Sequence, residues 1–309
     1  MAESGNKVIA VTNLAKSYGD IKAVDGISFE VSQGEVFGML GPNGAGKTTT
    51  VEIVEGLRPA DGGTATVLGL DVSKDTRAVK ERIGVQPQSP ALFPSLTVRE
   101  TIGFFASLYR KPLPASRVVE MAALQASHKV QFKNLSGGQQ QRLSVALAFV
   151  NDPDIIFLDE PTTGLDPQAR RTMWDVIETF RHTGKTVVLT THYMEEAQRL
   201  CDRIAIMDYG KIIAMDTPQR LIEAHTRESA IQFKMKDYPG DEVITGLTGV
   251  CKMHRDGDEI IVYTNNIPST IAALLGMASQ RSAEISELSV RQPTLEDVFL
   301  KLTGKRIRD

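Results

Sequence analysis

An apolar run, a glycine-rich loop and a helical pattern follow one another near the start of the chain. EVFGML at 35–40 predicts a buried strand, GPNGAGKT at 41–48 a loop, and KTTTVEIV at 47–54 the start of a helix. Two more unbroken apolar runs, IIFLD at 155–159 and TVVLTT at 186–191, each lead through a loop into a helical pattern. This alternation predicts an α/β fold with a parallel sheet that is covered on both faces.

Other patterns surround this core. Short strands broken by turns are predicted at 8–12, 23–31 and 64–68, which favours an additional antiparallel β-subdomain. Residues 97–130 have helical character, and Thr97 followed by Glu100 fits a capping box. We therefore expect a helical subdomain between the glycine-rich loop and the second apolar strand. RIAIMDYGKIIAM at 203–215 predicts a closing hairpin.

The character of the sequence changes after about residue 226. SAIQFKM, DEIIVYT and AEISELSV predict short strands, and a helical segment is expected near 268–279. A last helix is predicted to begin at Thr294, because Thr294 and Asp297 have the spacing of a capping box. We therefore predict two domains, a larger one over residues 1–226 and a small α+β domain over residues 227–309.

The glycine-rich loop matches G-x-x-x-x-G-K-[ST], a pattern with a physical reason. Backbone N–H groups that turn inward can hold the oxygens of a triphosphate, and only glycine allows so tight a bend and so close an approach. Lys47 is expected to reach the β- and γ-phosphates, and the Thr48 hydroxyl to bind Mg²⁺. The predicted nucleotide-binding residues of the loop are Gly41, Pro42, Asn43, Gly44, Ala45, Gly46, Lys47, Thr48 and Thr49. The alternative is a chance glycine-rich turn, which the strand before the loop and the helix after it disfavour.

Three further motifs follow in a fixed order: LSGGQ at 135–139, IIFLDE at 155–160 and His192 at the end of TTH. Together with the loop, they resemble the ABC ATPase family over about residues 8–225. LSGGQ alone would be weak evidence, but in order, with LDEPTTGLD downstream, it is specific. The resemblance implies a P-loop core of ABC ATPase type over the first domain, with ATP and Mg²⁺ as cofactors.

The resemblance assigns the polar residues that follow the strands. Asp159 ends an apolar strand and would hold Mg²⁺. Glu160, one residue further and expected on the opposite side, resembles the catalytic carboxylate that orients and deprotonates water. His192 matches the histidine that contacts the γ-phosphate. A solvated Asp-Glu pair fits poorly after four apolar residues. A lone histidine is more often structural, and the order of the motifs favours the catalytic role.

Two more positions fit the family. Gln88 matches the glutamine that senses Mg²⁺ and the attacking water, with Gln86 as a nearby competitor. The Pro-Gln pair favours Gln88. Tyr18 matches the aromatic residue that stacks on adenine, and a core tyrosine is the alternative.

LSGGQ lies on a different part of the chain from the phosphate loop. In the family two subunits pair head to tail, so Ser136, Gly137, Gly138 and Gln139 would close on the ATP held by the other subunit. Asp166 resembles a residue that touches the partner across the same interface. Every motif is present, so the resemblance implies a homodimer with two competent sites.

Composition limits the partners. The 35 Lys and Arg nearly balance the 38 Asp and Glu, so a nucleic-acid partner is not expected. No apolar run has the roughly 18 to 20 residues of a membrane helix. We therefore expect a cytoplasmic protein that lies on the inner face of the cell membrane through a separate integral-membrane permease.

PTLEDVFLKLTGK at 293–305 resembles exporters of the daunorubicin-resistance type. It favours export of a drug or a lipid-like molecule. The alternative is a soluble ABC ATPase that remodels a macromolecular complex without transport.

Overall fold

The computed structural model describes residues 6–89, 91–225, 229–291 and 293–304. The chain divides into two compact units between Pro218 and Gln219. The domain boundary predicted from the sequence, between residues 226 and 227, lies outside the described residues and stays a prediction.

The first unit contains two sheets and a group of helices. Its strands are β1 (Lys7–Tyr18), β2 (Ile21–Ser32), β3 (Val36–Leu40), β4 (Gly62–Val67), β5 (Leu70–Asp71), β6 (Ile83–Gln86), β7 (Ile155–Asp159), β8 (Thr186–Thr191), β9 (Arg203–Asp208) and β10 (Lys211–Asp216). Its helices are α1 (Lys47–Val54), α2 (Thr76–Arg82), α3 (Val98–Ala106), α4 (Ala115–Met121), α5 (Gly137–Leu147), α6 (Pro167–His182) and α7 (Met194–Leu200), and short 3₁₀ turns lie at Gln125–Ser127 and Phe132–Asn134.

The central sheet places the predicted site. Its order is β10-β9-β3-β8-β7-β6, and all neighbours except β9 and β10 run parallel. Strands β3, β7 and β8 are buried at every residue, as their unbroken apolar sequences predict. The carboxyl ends of parallel strands share one edge, so the residues that follow β3, β6, β7 and β8 come together there. The predicted α/β class is confirmed.

The β-subdomain and the helical subdomain are also confirmed. Strands β2-β1-β4-β5 form a separate antiparallel sheet. Helices α3, α4 and α5 share a hydrophobic core that includes Ile102, Val118 and Leu143. Thr97 caps α3, and its side chain and that of Glu100 make the two bonds of the capping box.

Helix α5 is held at its C-terminal end by a close backbone contact. A Cβ on Gly84 of β6 would lie only 1.7 Å from the carbonyl oxygen of Ala148, which follows α5. Asn151 adds a 2.9 Å hydrogen bond to the carbonyl oxygen of Ile83. A side chain at position 84 is therefore excluded, and the end of α5 rests directly on β6.

The second unit begins in α8 (Pro218–His225). Its further elements are β11 (Ser229–Lys236), α9 (Asp241–Thr245), β12 (Val250–Asp256), β13 (Glu259–Thr264), α10 (Ile267–Arg281), β14 (Glu284–Arg291) and α11 (Leu295–Thr303). The antiparallel sheet has the order β12-β13-β11-β14. Between β11 and β14 the elements run β-α-β-β-α-β, which is the split βαβ arrangement.

Most of this second unit matches the sequence-based prediction. The expected α+β character is confirmed, and the capping box of Thr294 and Asp297 is present. Strand β12 and the short helix α9 were missed. VCKMHRD lacks a clean apolar alternation, and β12 is an edge strand with most of its residues partly or fully exposed.

Candidate active site

The phosphate loop runs from the end of β3 into α1. Gly44 and Gly46 have φ values of 83° and 99°, in the left-handed region that favours glycine. A Cβ on Gly46 would lie 2.1 Å from the carbonyl oxygen of Ala23, so the β1–β2 hairpin rests against the loop. Asn43 and Gly44 are exposed at the tip, and the space around Gly44 is open. The tip of the loop thus forms an open cradle.

Lys47 lies beneath this cradle. Its ammonium group is buried and donates to the carbonyl oxygens of Gly41, at 2.7 Å, and Pro42, at 3.1 Å. It also lies 3.4 Å from Oε1 of Glu160. Burial lowers the pKa of Lys47, while the neighbouring carboxylates oppose the change. A buried cation next to an exposed glycine-rich turn and the N-terminus of a helix fits a triphosphate.

Thr48 and Asp159 form the candidate metal-binding pair. Oγ1 of Thr48 donates to Oδ1 of Asp159 at 3.2 Å, and the Thr190 hydroxyl donates to the same oxygen. Burial raises the pKa of Asp159. No cluster of three or more His, Cys, Asp or Glu in the described ranges could hold a metal alone. Two protein oxygens suit Mg²⁺ that is held mainly by phosphates and water.

Glu160 does not point to the opposite side from Asp159, as strict strand alternation predicted. Its φ of 49° lies in the left-handed region, which ends β7 and turns the side chain back toward the phosphate loop. The backbone N–H of Glu160 donates to Oγ1 of Thr190 at 3.0 Å and stabilises this turn. The expectation was wrong because alternation ends where the strand does.

The carboxylate of Glu160 is the centre of the site. Its Oε2 accepts from Thr163 at 3.1 Å and from Gln88 at 3.4 Å, and it lies 3.3 Å from Nδ1 of His192 without a hydrogen bond. Burial raises the pKa of Glu160, but Lys47 and His192 outweigh this effect and leave the pKa below its usual value. Glu160 is therefore ionised at neutral pH and can accept a proton.

The two candidate glutamines at the end of β6 have different surroundings, because Gln86 is the last residue of the strand and Gln88 lies in the loop after it. Gln88 is exposed and reaches Glu160, whereas Gln86 is buried and donates to the carbonyl oxygen of Pro87. The structure thus brings Lys47, Gln88 and His192 together around the carboxylate of Glu160.

Two other predicted residues of the phosphate loop are less accessible. Thr49 is half-buried in the first turn of α1, and Ala45 is buried in the loop.

The LSGGQ residues lie at the start of α5. Ser136 caps this helix, and its side chain and that of Gln139 exchange hydrogen bonds with each other's backbone. Ser136 and Gly137 are exposed. Their described bonds do not reach the phosphate loop of the same chain, which leaves the helix N-terminus open to another molecule.

Asp166 lies next to this surface. It caps α6 and accepts from the backbone N–H groups of Gln168 and Ala169, each at 2.9 Å. A Cβ on Gly138 would lie 3.0 Å from the Cβ of Ala169, so the starts of α5 and α6 are neighbours. The two regions predicted to act across a dimer interface are therefore adjacent.

Tyr18 ends β1 and is 42% exposed. Its described partners are cations: the guanidinium of Arg58 lies 5.4 Å from the ring centroid and the ammonium of Lys16 lies 5.8 Å away. This exposure argues against a core tyrosine. A ring face that attracts cations is also suited to stacking on a base.

Sequence reasoning missed Thr163 and Thr190, which bind the two carboxylates of the site. The signal for Thr190 was present, since two threonines follow the apolar run VVL at the carboxyl end of TVVLTT. Hydroxyls at the carboxyl end of a buried strand need partners, and Asp159 and Glu160 supply them.

Glu55, directly after α1, is a second buried carboxyl near the site. It is only 3% exposed, and burial, with the nearby charges of Asp159 and Glu52, raises its pKa to about 8. Between the ordinary value of 4.5 and about 8, the folded carboxyl keeps its proton while the unfolded one has lost it. The unfolded chain then binds fewer protons, so the free energy of unfolding falls as the pH rises through this window.

Glu55→Gln is therefore expected to stabilise the protein at high pH. The amide resembles the protonated acid and does not titrate, so at pH 8 the gain should be up to about 4 kcal/mol, and it should vanish below pH 4.5. Denaturant unfolding at pH 4, 6 and 8 measures it. Glu81→Gln, at an exposed carboxyl, is the matched control and should leave the pH dependence unchanged. Equal pH slopes for Glu55→Gln and the unaltered chain would contradict the prediction.

Comparison with known proteins gives consistent similarities. A family model described as "ABC transporter" matches residues 24–163. Nod factor export ATP-binding protein I of Sinorhizobium fredii is 40% identical, covering 97% of this chain and 87% of that protein. Linearmycin resistance ATP-binding protein LnrL of Bacillus subtilis is 34% identical, covering 98% of this chain and all of that protein.

Solved structures resemble the larger part of the chain. The dimeric, post-hydrolysis ATP-binding cassette MJ0796 with ADP and Pi aligns with a TM-score of 0.62 and 27% identity, over 68% of this chain and 98% of that one. CbiO1 from Clostridium perfringens, part of the transporter complex cbiONQ, aligns with a TM-score of 0.64 and 26% identity, over 71% of this chain and 91% of that one.

Proposed function

The chain belongs to the ABC transporter family of ATP-binding proteins, and from this premise we propose that it is the ATP-hydrolysing subunit of an exporter with a separate membrane permease. The observation that carries the hydrolytic part is the carboxylate of Glu160, which has Lys47, Gln88 and His192 within 3.4 Å. The observation that carries export is the similarity to two export or resistance ATPases over nearly the whole chain.

Each residue then has one task in hydrolysis. Bound Mg²⁺-ATP supplies the reactive phosphorus, with the metal neutralising phosphate charge. Lys47 and the loop amides would bind the phosphate oxygens, and Thr48 and Asp159 would hold the metal. Glu160 accepts the proton of the attacking water at its carboxylate, and Gln88 and His192 orient the reacting groups. Tyr18 binds the adenine by stacking.

We place hydrolysis in a homodimer. Ser136 and Gly137 are exposed at the N-terminus of an 11-residue helix, and Asp166 lies on the adjacent surface. A helix N-terminus attracts anions, and the phosphate loop of a second copy would bring one. The dimeric cassette among the similar structures supports this arrangement.

Exposed apolar side chains in and around α3 support docking of the permease near Gln88. Phe93, Phe104 and Leu108 are 51%, 43% and 64% exposed. The rings of Phe93 and Phe104 pack edge to face, with centroids 5.2 Å apart. Exposed apolar groups of this size are costly in water unless a partner covers them. In the described part of the chain, no helix is long and apolar enough to cross a bilayer, and a permease would supply that crossing.

Phe104→Asp is expected to lower recovery of the permease with the tagged chain by about tenfold or more, because a buried interface charge without a partner is costly. The measurement is co-purification from detergent extracts of native cells, with ATP binding as the folding check. Ile213→Asp, at an exposed apolar residue of β10, is the matched control and should keep full recovery. Stable membrane association of the chain without any permease would contradict the proposal.

The substrate and the subfamily are finer parts of the proposal. PTLEDVFLKLTGK at 293–305 favours exporters of the daunorubicin-resistance type, and the substrate is then a drug or a lipid-like molecule. The protein would lie on the inner face of the cell membrane through its permease. Residues 227–309 carry no phosphate-binding motif and would act in assembly rather than in chemistry.

A further inference from the structure

A buried carboxylate lies behind the catalytic residues and has no role in the mechanism above. Glu196, on α7, is fully buried, and its Oε1 accepts the indole N–H of Trp174 on α6 at 3.1 Å. Burial raises the pKa of Glu196, and the hydroxyls of Thr191 and Thr162 and the indole of Trp174 oppose the change. Thr191 and Thr162 are buried as well, and both lie beside this carboxyl without a hydrogen bond to its Oε2.

These neighbours belong to the segments that carry the site. Thr191 directly precedes His192. Thr162 lies between Glu160 and Asp166, and it is fully buried. Trp174 belongs to the helix that Asp166 caps. One carboxylate thus lies where the His192 segment, the Glu160 segment and α6 meet.

A second contact joins the same elements. The guanidinium of Arg170, one turn before Trp174 on α6, lies 4.0 Å from the ring centroid of Tyr193. The ring of Tyr193 in turn lies 4.2 Å from that of His192. Helix α6 therefore contacts the residues that follow His192 at two successive turns. Arg170 stacks on Tyr193, and Trp174 donates a buried hydrogen bond to Glu196.

The buried hydrogen bond between Trp174 and Glu196 resists separation of α6 from α7. Pulling α6 away from α7 would leave an indole N–H and a carboxylate without partners in the interior, which is costly for both groups. Oε2 of Glu196 already lacks a hydrogen bond, so within the described residues the bond from the indole is the one that satisfies this buried carboxyl. The two helices should consequently move together.

We propose that Glu196 is a positioning residue for ATP hydrolysis, which fixes His192 and Glu160 relative to Asp166 through its bond to Trp174. Glu160 and His192, which we assign to the γ-phosphate, are thereby linked to α6, the helix that Asp166 caps at the proposed dimer surface. The inference rests on the proposed roles of Glu160, His192 and Asp166.

The first test separates positioning from binding. Glu196→Ala is expected to lower kcat for ATP by about ten- to a hundredfold, because small displacements of catalytic groups are costly, while the KM for ATP changes by less than about threefold. Glu196→Gln keeps an acceptor for the indole and should restore kcat to within about threefold of the unaltered chain. Glu195→Ala, at the exposed neighbour on α7, is the matched control and should have no effect.

The second test uses the other end of the bond. Trp174→Phe removes the N–H donor and keeps a packed ring, so it should lower kcat in the same way, and the double variant with Glu196→Ala should be no slower than the slower single variant. Trp174 is the single tryptophan of the sequence, so its emission reports whether Glu196→Ala and Glu196→Gln keep this region packed. If Glu196→Ala does not fold, Trp174→Phe decides.

Unchanged kcat in Trp174→Phe, failure of Glu196→Gln to restore kcat, or a loss seen in KM alone would overturn the inference. The proposed function is tested apart from it. Near-normal turnover of Glu160→Gln would remove Glu160 from the role of general base, whatever Glu196 does. Equal kcat in Glu196→Ala and Glu195→Ala would remove Glu196 from the positioning role and leave that of Glu160 untouched. The two failures are therefore distinguishable.

Discussion

Replacing Glu160 by glutamine is expected to lower kcat for ATP hydrolysis by about 10²- to 10⁴-fold, the usual contribution of a general base, while ATP binding is retained. The amide keeps the size of the side chain and can still bond to Thr163, but it cannot accept a proton from water. Its loss of negative charge next to the 3.4 Å contact with Lys47 should not weaken phosphate binding, because one competing anion is removed.

With turnover blocked, ATP should hold two copies together. Size measurement of Glu160→Gln with and without Mg²⁺-ATP is expected to show a dimer only with nucleotide. Glu195→Gln is the matched control, because it makes the same change at an exposed position on α7. It should hydrolyse ATP at the normal rate. Near-normal turnover of Glu160→Gln would show that another group accepts the proton.

Two lesions on opposite halves of the shared site should complement each other. Lys47→Ala removes a buried cation beneath the phosphates and is expected to weaken ATP binding by about ten- to a hundredfold, since bonds to charged groups contribute about 1.5 to 3 kcal/mol. Ser136→Arg should leave binding by the monomer intact and abolish turnover, because Ser136 is exposed and lies outside its own phosphate site.

A mixed dimer of these variants contains one site with both lesions and one site with neither. Low but measurable hydrolysis from the mixture, absent from each variant alone, is the expected result. Thermal unfolding of Ser136→Arg is the control, because the substitution removes the cap of α5 at a cost of about 1 kcal/mol. High activity of either variant alone would contradict action in trans.

The sequence predicted the sheet well because its central strands carry runs of apolar residues and are buried at every position. IIFLD and TVVLTT became β7 and β8 with the same bounds, and the phosphate loop followed from local glycine geometry. The turn at Glu160 was not predictable in this way, since its backbone N–H donates to the hydroxyl of Thr190, 30 positions further along the chain. Long-range partners of this kind leave no periodic signal.

Glu55 and Glu196 show the same limit. Each lies in or beside a short helix among other charged residues, and neither belongs to a motif. Only the packing of other elements buries them. Gln88 was a different case, because the sequence offered two glutamines and the structure separates the exposed one from the buried one.

The close contact of the end of α5 with Gly84 lets a small rotation of the helix produce a large displacement of its other end. The helix has 11 residues, so its ends are separated by about 16 Å. Its C-terminal end rests backbone to backbone on β6, the strand that leads to Gln88, and its N-terminal end carries Ser136. A tilt of about 10° about that contact displaces Ser136 by about 3 Å, close to the length of a hydrogen bond. A small rotation at β6 is therefore enough to bring Ser136 within reach of a phosphate or to remove it.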